Sequence, residues 1–299
     1  MRAVDSALNQ SFQDLEVVVI DDGSTDHTAH RLASYGGRIK YYRNPERQGV
    51  SAARNRGIRE SSGPLVAFLD SDDFWLPKKI ETQVIFFGQN PGAVACQLEE
   101  VWIRNGKRVN PKKIHKKPSG DIFLPSLRLC LVSPSAVMLR RGILDEIGGF
   151  DETLPVCEDY DLWLRIALRY PVHLIPEPLV VKVGGGEDQL SRAFWGMDRF
   201  RIRSLVKLLV FEDLEAARRE AVMGELKRKC AIYANGCYKR GKTSEGELYE
   251  SLPKALASAL EGGKLEVALE LYNKISKLQS NQINWFPQLG SCDQPVTRV

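Results

Sequence analysis

The 299-residue chain has no Cys-x-x-Cys pair, and no histidine spacing complements its cysteines at 96, 130, 157, 230, 237 and 292. That argues against a structural zinc site, and the thiols read as reduced core filler of a cytosolic protein. The few histidines, at 27, 30, 115 and 173, are scattered, and even His27 and His30, one helical turn apart, read as surface residues. No apolar run approaches the roughly 18 residues of a membrane-spanning helix. The N-terminus also lacks the basic-then-apolar shape of a signal peptide. Neither GxxxxGKS/T nor GxGxxG occurs, which counts against phosphate-loop hydrolysis and dinucleotide redox chemistry. The net charge of +4, from 42 Lys and Arg against 38 Asp and Glu, is too small to argue for nucleic acid. What is present, 43% hydrophobic and 27% charged residues, is the composition of a soluble globular chain with a core to fill, as one large domain or one domain with an appendage.

Glu16-Val17-Val18-Val19-Ile20 is a β-branched run that ends in Asp21-Asp22-Gly23-Ser24-Thr25-Asp26, a cluster of turn and capping residues. It reads as a buried strand, a loop and a helix over 26–35. The pattern recurs: residues 39–42 are strand-like, Ser51 caps a helix through Arg59, and residues 65–69 form a continuous apolar strand. Pro77 then opens a helix with Ile80, Val84 and Phe87 on one face. Strands alternating with helices predict an α/β fold, a mostly parallel central sheet with helices on both faces. From 97 to 190 shorter strands and single helices, such as Asp161 to Arg169, continue the same domain. Beyond Ser191 the segments 199–234 and 245–278 show helical spacing, and weak periodicity after Gln279 predicts a frayed tail.

In an open α/β sheet ligands bind beyond the carboxyl ends of the strands, where both acidic clusters fall: Asp21 with Asp22, and Asp70 with Asp72 and Asp73. Carboxylates gathered at one edge repel unless a cation joins them. With no Cys or His nearby, Mg2+ or Mn2+ holding a diphosphate suits them better than zinc. Helix capping is the competing role, preferred for Asp26 and Asp73. A calcium loop counted from Asp70 fails, because Phe74 and Trp75 stand at its fifth and sixth positions, the sixth of which needs glycine.

Four blocks, Glu16–Asp26 (EVVVIDDGSTD), Gly49–Gly57 (GVSAARNRG), Leu65–Trp75 (LVAFLDSDDFW) and Gly148–Leu164 (GGFDETLPVCEDYDLWL), resemble in order and separation the family 2 glycosyltransferases over residues 1–195. The resemblance implies a GT-A fold and an inverting transfer of a sugar from a nucleotide diphosphate, most often uridine diphosphate, to an acceptor hydroxyl. It implies that Asp21 and Asp22 lie at the nucleotide, with Asp22 on the base, that Asp70 holds the ribose and that Asp72 binds the metal. Arg54 would lie near the nucleotide. Glu158 and Asp159 match the acidic dyad, with Asp159 as catalytic base and Glu158 orienting the acceptor; inversion needs one carboxylate to take the acceptor proton opposite the leaving group. The same pair could cap the helix that ends near Arg169. Val183–Ser191 (VGGGEDQLS) resembles the segment that closes over the donor, and Gln189-x-x-Arg192 is similar to the QxxRW of processive polymerases, except that Trp195 stands three places late. A single transfer to a glycan, lipid-linked or protein acceptor in cell-surface polysaccharide synthesis is therefore expected.

Residues 1–195 are expected to form the transferase domain and 196–299 a helical extension. Arg104–Lys117 holds seven Lys or Arg and no acid, and 198–242 has twelve Lys or Arg against six acids. Either a solvated surface or peripheral contact with the inner face of the cell membrane fits such stretches. A nucleotidyltransferase shares the sheet and the metal carboxylates but brings a glycine-rich, lysine-bearing signature that is missing here; a degenerate sugar-nucleotide-binding module is the non-enzyme alternative. In the family register Arg2–Leu8 already reads as the first helix, so a strand that would precede it is expected to be missing.

Overall fold

The structure, a computed structural model, describes residues 1–110, 112–185 and 194–283. Helix α1 (Arg2–Leu8) leads to β1 (Val18–Asp21), α2 (Thr28–Ala33), β2 (Lys40–Arg43), α3 (Val50–Glu60), β3 (Leu65–Ala67), β4 (Phe74–Trp75) and α4 (Lys79–Gln89). The β-branched run thus forms a strand, and the capping cluster turns the chain out of it. Then come β5 (Ala95–Arg104), β6 (Lys107–Val109), α5 (Phe123–Arg128), β7 (Val137–Arg140), α6 (Arg141–Ile147), α7 (Glu158–Arg169) and β8 (Val172–Gly184). Four longer helices close the described chain: α8 (Asp198–Phe211), α9 (Ala216–Tyr238), α10 (Thr243–Glu261) and α11 (Leu265–Ile283).

The sheet departs from the mostly parallel expectation. β1 and β2 pair in parallel and stand apart from a second sheet ordered β3-β7-β5-β8-β4, with β6 on β5. Within that sheet β5/β8 is parallel, whereas β3/β7, β5/β7, β4/β8 and β5/β6 are antiparallel. Two antiparallel steps restore direction, so β3, β5 and β8 still run the same way and their carboxyl ends lie at one edge. Asn105 and Gly106, both at positive φ, make the two-residue turn of the β5–β6 hairpin. Pro176 falls in a register shift of β8 against β5, where a missing N–H costs no ladder bond.

Alternation along the strands separates the two faces. Val66, Leu139 and Ala95 point into one hydrophobic cluster with α6, α7 and the C-terminal helices; Leu65, Ala67, Met138, Cys96 and Leu98 point into another with Ala7 of α1 and Ile80 and Phe87 of α4. Helices therefore cover both faces, as expected. The first cluster runs without a break from Val66 to Ile275 and includes Phe200, Leu205, Leu226, Tyr233 and Leu256. The extension consequently shares its core with the sheet. The expected helix 199–234 is interrupted at Glu212, whose extended backbone brings its carboxylate 2.5 Å from Arg169 Nη2. Among the described residues no helix is long and apolar enough to cross a membrane.

Lys79 of α4 is fully buried and its ammonium has no hydrogen-bond partner; its Nζ lies 3.9 Å from the Trp75 ring centroid. Burial pushes this ammonium down to about 7 from an ordinary 10.5. The folded chain binds the proton less tightly than the unfolded one, so the stability cost is complete below about pH 7 and fades as pH rises towards 10.5. Lys79→Met is expected to stabilise the protein by roughly 1–4 kcal/mol at pH 7, the gain vanishing near pH 10.5. Urea titrations of both proteins across that range measure it.

Candidate active site

The loop after β1 is built by its own acids. Asp21 is buried; its carboxylate accepts hydrogen bonds from the Ser24 amide at 2.8 Å and the Tyr41 hydroxyl at 2.6 Å. Burial pushes the Asp21 carboxyl up, but the Ser24 and Tyr41 bonds outweigh it and hold the group below its ordinary range. Asp22 accepts from the Asn44 side chain at 2.7 Å and from the amides of Gln48 at 2.9 Å and Gly49 at 2.8 Å. It thereby ties β1 to the residue that precedes α3. Gly23, between them and Ser24, has φ +75°, and a Cβ there would meet the Arg47 amide at 2.7 Å. Only glycine fits that turn. Ser51 lies inside α3 and donates to Leu154 O at 3.3 Å rather than capping the helix.

One helical turn into α3, Arg54 gathers the remaining candidates. Its Nη2 lies 2.6 Å from Asp70 Oδ1 and its Nη1 2.6 Å from Glu158 Oε1, with the guanidinium 5.2 Å from the Phe150 ring centroid. Glu158 and Asp159 are the first two residues of α7, so the dyad and the helix N-terminus coincide. Before them Cys157, a non-glycine residue, holds φ +62°. Strain of this kind persists where the surroundings fix it, and here it aims the dyad. Burial, then the neighbouring Asp159 charge, raises the Glu158 carboxyl despite Arg54. Asp159 is half-buried, and its Oδ2 accepts from the Cys130 thiol at 3.4 Å. Burial and the Asp159 charge push that thiol well up, so it stays a neutral donor. Burial pushes the Asp70 carboxyl up, but the Arg54 charge and bond leave it lowered on balance.

Asp72 has an exposed side chain, and its backbone carbonyl accepts from Arg2 Nη2 at 2.6 Å. Asp73 does not cap α4. It is buried, accepts from Ser135 Oγ at 2.7 Å and from the Val183 amide at 3.0 Å, and burial pushes it up to about 6. Two further groups escaped the sequence reading. Lys182, near the end of β8, donates to Ser133 Oγ at 3.2 Å. Burial lowers its pKa, but the charges of Glu100, Asp73, Asp70 and Asp159 outweigh that and raise it. Glu100 of β5 lies 3.4 Å from the buried Lys117. The segment 183–191 lies largely outside the described residues, as does the Gln189-x-x-Arg192 motif; Trp195 is described, under the Arg240 guanidinium at 4.5 Å from its ring centroid.

A divalent cation fits this edge in one way only. Among the described residues no three His, Cys, Asp or Glu side chains group to hold a metal by themselves. Mg2+ or Mn2+ bound through a diphosphate needs only one or two carboxylates, and Asp72, with Asp70 two residues before it, can supply them.

Taken together, an α/β sheet covered by helices, with a DxD segment and an acidic dyad joined at its carboxyl edge, defines a GT-A glycosyltransferase domain. Residues 1–148 match the family described as Glycosyl transferase family 2, and the chain belongs to that family. It is 32% identical over 197 residues (64% of this chain) to an uncharacterised glycosyltransferase of Rickettsia felis, of whose length it spans 32%. It is also 32% identical over 168 residues (55% of this chain, 62% of the relative) to an Escherichia coli UDP-Glc:alpha-D-GlcNAc-diphosphoundecaprenol beta-1,3-glucosyltransferase. The fold is shared with S. aureus TarS 1-349 in complex with UDP-GlcNAc, at TM-score 0.67 and 18% identity, over 96% of this chain and 88% of that one. It is shared too with a Pyrobaculum calidifontis mannosyltransferase in complex with GDP-Man and Mn2+, at TM-score 0.53 and 18% identity, over 94% and 79%. Family membership removes the nucleotidyltransferase alternative.

Arg54 neutralises two carboxylates at once, the buried Glu158 and the part-exposed Asp70. Arg54→Met is expected to cost about 3–5 kcal/mol at pH 8, because both acids are left unpaired. The loss should shrink at pH 5, where the already raised Glu158 takes up a proton. Thermal unfolding of the variant at the two pH values measures the difference.

Proposed function

We propose that the chain transfers a sugar from a nucleotide diphosphate, uridine diphosphate by preference, to a hydroxyl of a lipid-diphosphate-linked saccharide in cell-surface polysaccharide synthesis, inverting the anomeric centre. The observation that carries this is the Arg54 fork, which brings Asp70 of the DxD segment and Glu158 of the dyad to one point although they stand 16 and 104 residues from it in sequence. The preference for UDP and for a lipid-diphosphate acceptor is drawn from the Escherichia coli relative and the TarS complex.

In this reading Asp159 takes the acceptor proton. It is half-buried, lies in the first turn of α7 and has its Oδ2 on the Cys130 thiol, a neutral donor. Glu158, fixed by Arg54, sets the position of the dyad. Asp21 and Asp22 shape the nucleotide-facing loop, Asp70 faces the ribose and Asp72 holds the cation. Mg2+ or Mn2+, when bound, stabilises the charge that develops on the departing diphosphate. Lys182, which interacts with the charges of Glu100, Asp73, Asp70 and Asp159, offsets part of the negative charge gathered at this edge.

Calorimetric titration with UDP in the presence and absence of Mn2+ tests the donor half. Asp72→Ala is expected to abolish the metal-dependent part of UDP binding, and UDP affinity indifferent to both Mn2+ and this change overturns it. Asp159→Asn is expected to lower transfer about 10²–10⁴-fold while leaving UDP affinity intact; transfer at the parent rate rules Asp159 out as the base.

A further inference from the structure

Helix α5 has two unlike faces. Phe123, Ser126 and Leu127 are buried, and the Leu127 carbonyl accepts the Tyr160 hydroxyl of α7 at 2.5 Å. That face is bolted to the helix that begins with the dyad. Leu124, Pro125 and Arg128 face outward, with Leu124 53% exposed. Together with Ile114, itself 50% exposed, Pro118, Leu129 and Leu131 they line a groove of about 330 Å³ that also carries Lys116. Ile114 and Leu124 are two of eight large apolar side chains exposed among the described residues, and these two stand together beside the groove.

The two cations that line the groove, Lys116 and Arg128, are uncommitted, as are those of the basic stretch that precedes Lys116 in sequence. Among the described residues the side chains of Arg104, Lys107, Arg108, Lys112, Lys113, Lys116 and Arg128 are exposed and make no hydrogen bond or ion pair with the protein. Asp121, the acid nearest α5 in sequence, is paired with Arg218 at 3.0 Å. By contrast, many cations of 198–242 are spent inside the fold: Lys229 on Glu225 and Asp198, Lys207 on Asp151 and Asp161, Arg228 on Glu225. The groove lies close to the dyad: Leu131, one of its lining residues, follows Cys130 in sequence, and the Cys130 thiol lies 3.4 Å from Asp159.

Resting on the reading of the acceptor as lipid-linked, we propose that this groove binds the head-proximal segment of a polyprenyl-diphosphate carrier. Its prenyl units lie along Ile114, Leu124 and Leu129, its diphosphate faces Lys116 and Arg128, and its saccharide is delivered past Leu131 to Asp159. A recessed apolar floor with two cations at its edge, close to the dyad, matches an amphiphile whose diphosphate sits at the boundary between its apolar and polar halves.

Farnesyl diphosphate is a soluble probe of that chemistry, and its binding to the full chain can be followed by calorimetry. Leu124→Glu, at an exposed position, and the double change Lys116→Glu with Arg128→Glu are each expected to weaken it at least tenfold while UDP affinity stays unchanged. Farnesol and inorganic diphosphate alone should each bind at least tenfold more weakly than the conjugate. Binding that neither variant weakens, or that UDP displaces in full, overturns the groove. So does vesicle association that follows phosphatidylglycerol content and ignores Leu124→Glu, which would assign the surface to the bilayer. Farnesyl diphosphate that fails to bind while UDP binds and a free saccharide is glycosylated overturns the groove and spares the transferase reading. The expected farnesyl diphosphate pattern in a chain that binds no UDP does the reverse.

Discussion

The site hangs on one guanidinium. Arg54 spans two carboxylates that reach it from the loop after β3 and from the start of α7, and all three groups are largely withdrawn from water. Exposed ion pairs contribute little, but a buried charge without its partner is costly, so the relative placement of α3, the DxD loop and α7 is set by this junction. A lysine could not take the same role, because a point charge on a single stem cannot present two divergent donors to separate carboxylates. The helix that carries Arg54 is anchored one turn earlier, where the Gly49 amide bonds to Asp22. The junction therefore transmits to the β1 loop as well.

What could be read from the sequence was local. The β-branched run at β1, the apolar run at β3 and the amphipathic pattern of α4 are short-range signals, and the motif blocks placed Asp70, Glu158 and Asp159 without reference to their partners. Tertiary partners decided the rest. Asp70, Asp72 and Asp73 look alike in sequence, yet Asp73 is buried against Ser135 and Val183, 62 and 110 residues away, Asp70 is drawn to Arg54, and Asp72 is the exposed one of the three. Lys182 carries no local mark at all; its surroundings come from β5, the DxD loop and α7. The antiparallel β7 belongs to no strand–helix alternation, and the prolines of β8 argue against a strand until a bulge accommodates Pro176. The Asn105-Gly106 turn, by contrast, is a local hairpin signal carried by the sequence itself.

The helical extension is bound to the candidate site by more than apolar contact. The segment 148–156 leads into the dyad, and it is clamped from both sides. Asn55 of α3 exchanges hydrogen bonds with Phe150 at 2.8 and 2.9 Å, so closely that a Cβ on Gly149 would lie 2.4 Å from Asn55 Oδ1. From the other side Lys207 reaches Asp151 at 2.7 Å and Arg203 donates to the Thr153 carbonyl at 3.0 Å. Arg203 and Lys207 of α8 are thus spent on holding the approach to Glu158. It also explains why the hydrophobic cluster crosses residue 195 without a seam.

The charge balance at the carboxyl edge bears on how an anionic donor could enter. Arg54 is already committed to Asp70 and Glu158, and Lys182 stands among Asp70, Asp73, Glu100 and Asp159. Neither cation has charge to spare for a diphosphate, and the acids around them outnumber them, so the field there repels a bare nucleotide. On the proposed reading, the donor brings compensating charge with it. A divalent cation carried on the diphosphate and received by the outward Asp72 would supply that charge without breaking the Arg54 junction. In that arrangement the inward acids order the protein and the outward one meets the ligand, a division of labour among three aspartates within four positions of each other that only the fold can make.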